Sequence, residues 1–260
     1  MPAAGSRLAF TPRMKLLTTA STICSLLLAT SAFAQNPGPA PTNAPPKWTG
    51  SASLGFILTS GNSDTLLFST KVLASRKWDK RNELDLGADA TYGEQEDEKN
   101  NELIHGFAQY NRLFTERWFG YMRLDALHDD IADVDYRITL GPGVGYYFIK
   151  NDRTFLRGET GPAVVFEKQG GEDNTYLTLR LAERFEHKLT QTTKIWQSFE
   201  ILPEVGEWDN YIVNAEAGID VAINNKWSLK AYVQDTYDNE PAEGRLKNDV
   251  KVVTALGYTF

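Results

Sequence analysis

The chain has 260 residues, with 27 lysines and arginines against 34 aspartates and glutamates, a net charge of −7 and one cysteine. The acidic balance excludes nucleic acid as a partner, because phosphate binding needs a basic face. A lone cysteine excludes a disulfide framework and any cysteine-based zinc or redox motif, so stability must come from another device.

The N-terminal segment reads as an address. Arg13 and Lys15 flank Met14, an apolar run follows from Leu16 to Ala29, and Ala32-Phe33-Ala34 places small residues where a signal peptidase inspects them. Cleavage is expected before Gln35, so that residues 1–34 form a signal peptide, with Met14 an alternative start. As an anchor the run is too short to cross roughly 30 Å of hydrocarbon comfortably. Cys24 lies inside it behind the bulky Ile23, which fits lipid attachment poorly. Arg7, Arg13 and Lys15 precede the cut and no acidic residue does, so the mature chain keeps 24 basic residues against 34 acidic ones. Residues 35–47 are rich in Pro and Ala, a composition that forms an extended linker with no apolar face to bury.

From Trp48 to Phe260 the texture is uniform and reads as one domain. Runs of about 10 to 14 residues alternate apolar with small or charged side chains, the period of strands, and polar turn clusters separate them. Leu84, Leu86, Ala88 and Ala90 oppose Asp85, Gly87 and Asp89. Tyr136, Ile138, Leu140, Pro142, Val144, Tyr146 and Phe148 oppose Arg137, Thr139, Gly141, Gly143, Gly145 and Tyr147. Val213, Ala215, Ala217, Ile219 and Val221 oppose Asn214, Glu216, Gly218 and Asp220, and Val250 to Phe260 repeats the split. Strands of soluble sheets usually run five or six residues, whereas these match the 9 to 11 tilted residues that cross a bilayer.

Connections and aromatics point the same way. Short turns are expected at Asp79–Asn82, Thr115–Arg117, Lys150–Asp152, Thr190–Thr192 and Asn224–Lys226. The alternate connections are expected to be longer and acidic at Gly93–Asn100, Asp129–Asp133, Lys168–Asn174 and Asn239–Leu246, with tight exceptions at Gly61–Ser63 and Trp208–Asn210. Outer-membrane barrels show this asymmetry, short periplasmic turns against longer outer loops. Trp78, Phe114, Trp118, Phe148, Phe155, Trp196, Trp227 and Phe260 are expected in a periplasmic aromatic girdle, and Tyr92, Phe166, Tyr176, Trp208, Tyr211 and Tyr237 in an outer one. The expectation is an all-β fold: a transmembrane antiparallel up-and-down β-barrel of about twelve strands in a Gram-negative outer membrane, with both ends periplasmic.

Trp48-Thr49-Gly50, Leu54-Gly55, Thr59-Ser60-Gly61-Asn62-Ser63-Asp64, Arg137 to Gly145 and the closing Leu256-Gly257-Tyr258-Thr259-Phe260 resemble a domain-of-unknown-function family of YdiY-like, salt-induced outer-membrane proteins. The resemblance spans essentially all of Trp48 to Phe260. It implies an outer-membrane location and a salt or osmotic response, and it supplies no catalytic motif. Gly61 and Asn62 also suit a tight hairpin turn, since both tolerate left-handed backbone. Phe260 resembles the C-terminal aromatic read by the outer-membrane assembly machinery, and it suits a girdle equally.

The inward faces carry the candidate site. Arg123 and Asp125, Arg137, Arg157 and Glu159, Arg180, Arg184 and Glu186, Lys194, Glu200 and Glu204, Glu216 and Asp220, and Lys230 alternate with apolar outward neighbours. Two readings stand: a narrow polar conduit for small solutes or ions, or an ion-pair ladder that fills the barrel of a structural envelope protein. Gly141, Gly143 and Gly145 on one face are expected to let the wall curve or lie close to lumen side chains. His105, His128 and His187 fall on separate strands without ligand spacing, so neither a metal nor another cofactor is expected. The alternative is a lipid or ester hydrolase, but Ser198 and His187 read onto opposite faces and His128 beside Asp129 and Asp130 equally suits an exposed loop; no enzyme is expected. The expected partners are outer-membrane lipids, lipopolysaccharide and the assembly machinery, with the oligomeric state open. The acidic connections could bridge lipopolysaccharide through divalent cations, although they lack the spacing of a cation loop.

Overall fold

The computed structural model describes residues 48–59, 65–95 and 98–260. The expected signal peptide, the linker, the Gly61-Asn62 turn, Glu96 and Asp97 lie outside the described residues. Twelve strands follow one another: β1 (Trp48–Thr59), β2 (Thr65–Lys77), β3 (Asn82–Gln95), β4 (Glu98–Leu113), β5 (Trp118–Asp129), β6 (Val134–Lys150), β7 (Thr154–Gln169), β8 (Glu172–Lys188), β9 (Thr193–Glu204), β10 (Glu207–Ala222), β11 (Trp227–Asp238) and β12 (Asn248–Thr259). Each pairs antiparallel with its chain neighbours, and β12 returns to β1 to close the barrel. Closure satisfies the sheet's edges, the device that lets a cysteine-poor sheet stand without staples. The closing seam pairs Ser51–Gly55 with Ala255–Thr259. Mutual backbone bonds between Gly50 and Phe260, 3.0 Å each way, extend it to the last residue.

Alternation sets which face meets what. Along β12, Val250, Val252, Thr254 and Leu256 are exposed while Val253, Ala255 and Gly257 are buried. Along β6, Tyr136, Ile138, Leu140, Pro142 and Val144 are exposed, and Arg137, Gly141, Gly145 and Tyr147 are buried. The apolar side chains therefore point out of the barrel and the polar ones in, the inverse of a soluble sheet packed on a core. A bulge between Tyr147 and Ile149 lets Phe148 and Ile149 both face outward.

The short connections at the end bearing Trp48 and Phe260 match expectation, each spanning three or four residues between strands. Their polar side chains cap them, as where the Asp79 carboxylate accepts from the backbone N–H of Arg81 and Asn82 at 2.6 and 2.7 Å. The opposite, distal end departs from expectation. Lys168–Asn174 is not a loop: β7 and β8 run on to Gln169 and Glu172 and are joined by Gly170-Gly171 alone, whose φ of 59° and 81° make a two-residue hairpin. Trp208–Asn210 belongs to β10, and the turn is Val205-Gly206. Most of Gly93–Asn100 is likewise strand. Polar residues read as loop because they lack apolar alternation, yet a strand that overhangs the lipid belt has no apolar partner to demand it. The nine residues between Asp238 and Asn248 do form the expected longer loop.

The girdles hold with three corrections. Trp78, Phe114, Trp118, Phe148, Trp227 and Phe260 are exposed near the terminal end, and Tyr92, Phe166 and Trp208 toward the distal end. Trp196, Phe155 and Tyr176 instead lie on inward-facing phases of their strands. Proximity to a turn marks depth, but the facing of each residue follows from its parity with neighbours such as Arg157 and Arg180.

Candidate functional site

The lumen is where the charges meet. Of the fourteen charges expected there, thirteen lie within 4 Å of an opposite charge, and Glu204 instead accepts from the Asn210 amide at 2.9 Å. Arg123 forks onto Asp125 at 2.6 and 2.7 Å on its own strand. Arg157 reaches Glu159 at 3.1 Å, Arg184 reaches Glu186 at 2.8 Å, and Asp220 faces Lys230 at 3.9 Å. Arg180 bonds Glu200 at 2.5 Å, Glu159 at 2.8 Å and the Tyr121 hydroxyl at 3.2 Å. Charges removed from water survive only when paired and hydrogen-bonded, and Glu159 and Arg180 have side chains just 3 and 8 % exposed.

Several of these contacts span the barrel rather than run along its wall. Lys71 on β2 pairs with Glu216 on β10, with three strands between them around the ring. Arg157 on β7 approaches Asp85 on β3 at 3.9 Å. Arg137 on β6 bonds Glu167 at 2.5 Å beside it and Asp238 on β11 at 2.8 Å, almost straight across. Gln109 on β4 donates to Glu159 on β7 at 3.1 Å and to Asn111 at 2.9 Å, and both amide residues are wholly inaccessible to solvent.

Toward the terminal end, aromatic side chains complete the filling. Phe119, Tyr121 and Tyr147 form one buried cluster with Leu113 and Phe155 against it, and Trp196, Tyr232, Val253 and Ala255 form another. The inward glycines make room for these rings. A Cβ at Gly145 would lie 2.1 Å from Phe119 Cζ, and one at Gly143 2.3 Å from the Tyr121 hydroxyl, so the rings lie flat against bare backbone. Gly87 under Phe107 and Gly218 under Trp196 repeat the arrangement. Gly145→Val is accordingly expected to cost about 1–3 kcal/mol through overpacking. The midpoint of urea unfolding in lipid vesicles, followed by tryptophan fluorescence, checks this.

Toward the distal end the lumen widens into a cavity of about 340 Å³. Its walls include Arg123, Asp125, Arg184 and Ser198, and its mouth includes Pro241 and Lys247 of the longer loop. No lining residue belongs to the terminal-end turns. His105 sits in this vestibule, with Nδ1 3.0 Å from Asp89 and Nε2 3.5 Å from Asp125. Its carboxylate neighbours come from the flanking strands, so spacing along the chain did not disclose them. His128 Nδ1 lies 2.9 Å from the Asp135 carbonyl. His187 contacts the Thr154 hydroxyl at 2.8 Å and stacks on Phe185, on the opposite face from the lumen-lining Ser198.

The distal acidic residues are engaged locally: Asp130 pairs with Lys99, Asp173 accepts from the Tyr136 hydroxyl at 2.9 Å, and Asp129 caps the backbone of Ile131 and Ala132. Among the described residues no cluster of three or more His, Asp or Glu has metal-binding geometry.

The family described as protein of unknown function, DUF481, matches residues 52–260. The chain belongs to this family. A curated relative, the uncharacterized protein YdiY of Escherichia coli (strain K12), is 24% identical over 229 residues, covering 85% of this chain and 86% of the relative. Among solved structures, the NanC porin superposes with a TM-score of 0.50 at 7% identity, covering 81% of this chain and 98% of that one. The KdgM porin gives a TM-score of 0.45 at 9% identity, covering 82% and 99%. At such identity the NanC likeness shows the fold alone, a porin-like barrel of the outer-membrane type. Every cross-lumen contact of this DUF481 chain, from Lys71 to Asp238, falls inside the matched span. Asp85, already on the polar face of its strand, joins Lys71, Gln109, Asn111, Glu167 and Asp238, none of them an expected site residue, in completing the lumen network. Strand parity alone places them inside, whereas partners three to five strands away around the ring leave no trace in spacing.

Proposed function

We propose that this DUF481 chain is an outer-membrane envelope protein whose barrel is closed to free diffusion by its own side chains and holds a vestibule that opens on its distal side. The observation that carries this reading is the set of chords across the lumen, Lys71–Glu216, Arg157–Asp85 and Arg137–Asp238. A barrel leaves an aqueous channel only where its interior exceeds what its side chains fill, as in barrels of 16 to 18 strands. Membrane residence is supported by the outward apolar belt, where Phe56, Val250 and Val252 are all more than half exposed. Trp48, Phe260 and the five short turns share one end, which we assign to the periplasm. Export through a cleaved signal, assembly guided by Phe260, and contact with outer-membrane lipids and lipopolysaccharide belong to this proposal. An osmotic role rests on the family resemblance, and impaired growth of a deletion strain at high salt would support it.

The protein is proposed to act without catalysis, since His128 and His187 contact local oxygens and neither faces Ser198. A second reading, a narrow conduit, is favoured by the polar vestibule of about 340 Å³. Liposome swelling separates the two. Vesicles bearing the folded protein should shrink in small sugars and fail to re-swell; prompt re-swelling at the rate of an open porin would favour the conduit.

A further inference from the structure

An ionisable residue stands on the outer face of β8. On β8, Arg180, Arg184 and Glu186 enter the lumen network, so Glu183 points outward with Leu181 and Phe185. It precedes the strand's terminal end at Lys188 by five residues. At ~3.3 Å per residue and a tilt of roughly 40°, that places it about 13 Å above the turn, within the apolar belt. An ionisable group at this depth on the lipid face is costly and signals a site whose partner is to be named. Its Oε1 is buried yet bonds nothing, and no described cation pairs with it.

Glu183 lies in an apolar groove of about 410 Å³ on the outside of the barrel. Val144, Phe148, Leu181 and Phe199 form the walls. Gly158, directly cross-strand from Glu183, leaves the floor bare, and the Phe148 ring lies over it, 3.0 Å from where a Cβ would stand. Below, Trp118, Tyr146 and Phe148 meet in series, tilted and then edge to face, with ring centroids 4.8 and 5.1 Å apart, an aromatic ladder of the kind that sits at headgroup level. The groove therefore offers hydrocarbon packing, an interfacial shelf and one unpartnered acceptor.

We propose that this groove holds a phospholipid of the periplasmic leaflet drawn inward past the aromatic shelf, its headgroup ammonium bonding the Glu183 carboxylate through its N–H donors and an acyl chain lying over Gly158. The assignment follows from charge complementarity. A primary ammonium both neutralises the carboxylate and donates to it, an anionic headgroup repels it, and a quaternary ammonium has no N–H to give. The proposal rests on the membrane reading above and adds a headgroup preference to it.

The test is native mass spectrometry of the full folded chain released from vesicles of equal parts phosphatidylethanolamine, phosphatidylglycerol and phosphatidylcholine. The heat-dependent gel shift of a folded barrel serves as the control for each variant. One retained phosphatidylethanolamine is expected, enriched about tenfold over the other two, the ratio one charge-assisted hydrogen bond supplies. Glu183→Gln should abolish the preference, and Gly158→Leu should expel the lipid while keeping the carboxylate. Equal retention of the three lipids, an unchanged preference in Glu183→Gln, or a lipid-free dimer that depends on Glu183 would each overturn the assignment. A chain that partitions as a soluble protein would overturn the membrane reading as well, whereas a folded membrane barrel without headgroup preference overturns this proposal alone.

Discussion

Arg180→Leu is expected to destabilise the folded barrel by about 3–5 kcal/mol, the cost of breaking a buried ion pair and stranding its partners. Arg180 answers both Glu159 and Glu200 and also bonds the Tyr121 hydroxyl. Without it, Glu200 keeps one amide contact with Asn214 at 3.3 Å. Glu159 retains Arg157 at 3.1 Å and Gln109 at 3.1 Å. The stranded group is therefore mainly Glu200. Adding Glu200→Leu to Arg180→Leu should recover part of the loss, because removing both partners leaves no uncompensated charge. Urea unfolding of the two variants in vesicles supplies the comparison, and a double variant no more stable than the single one would mean the pair is not a unit.

Leu140→Arg is expected to cost about 2–4 kcal/mol, the penalty for a cation at the bilayer midplane of a barrel. Leu140 stands mid-strand on β6 and is exposed on the outer face between Leu124 and Val164. Its neighbour Thr139 faces the vestibule opposite Asp125. Thr139→Lys should therefore change stability by only about 0.5 kcal/mol, the scale of a tolerated solvated substitution. The contrast between adjacent residues isolates facing from depth. Gly143, although inward, is no benign site for a charge, because the Tyr121 ring lies against it.

Much of this molecule is written in parity. Period-two alternation in β6, β10 and β12 fixes which residues meet lipid, and the expected inward charges, from Arg123 to Asp220, all point into the lumen. Turn chemistry places the five terminal-end turns for the same local reason. The distal end is less legible because overhanging strand ends such as Lys168–Gln169 and Glu172–Asn174 are polar on both faces and lack the alternation that betrays a strand. Trp196, Phe155 and Tyr176 were misplaced because nearness to a turn gives depth but not direction. Partners were hidden for a different reason: Arg137 and Asp238 meet across the ring at a separation of 101 residues, a distance set by strand number and closure. Whether inward charges fill or line a barrel depends on those chords.

Single-channel recording in planar bilayers tests the closed lumen most directly, with the wild-type barrel compared to a variant carrying both Lys71→Ala and Arg137→Ala. A silent wild type is expected, with conductance steps arising only in the variant whose chords from β2 to β10 and from β6 to β11 are cut. Steady porin-sized steps from the folded wild type, unchanged in the variant, would contradict it.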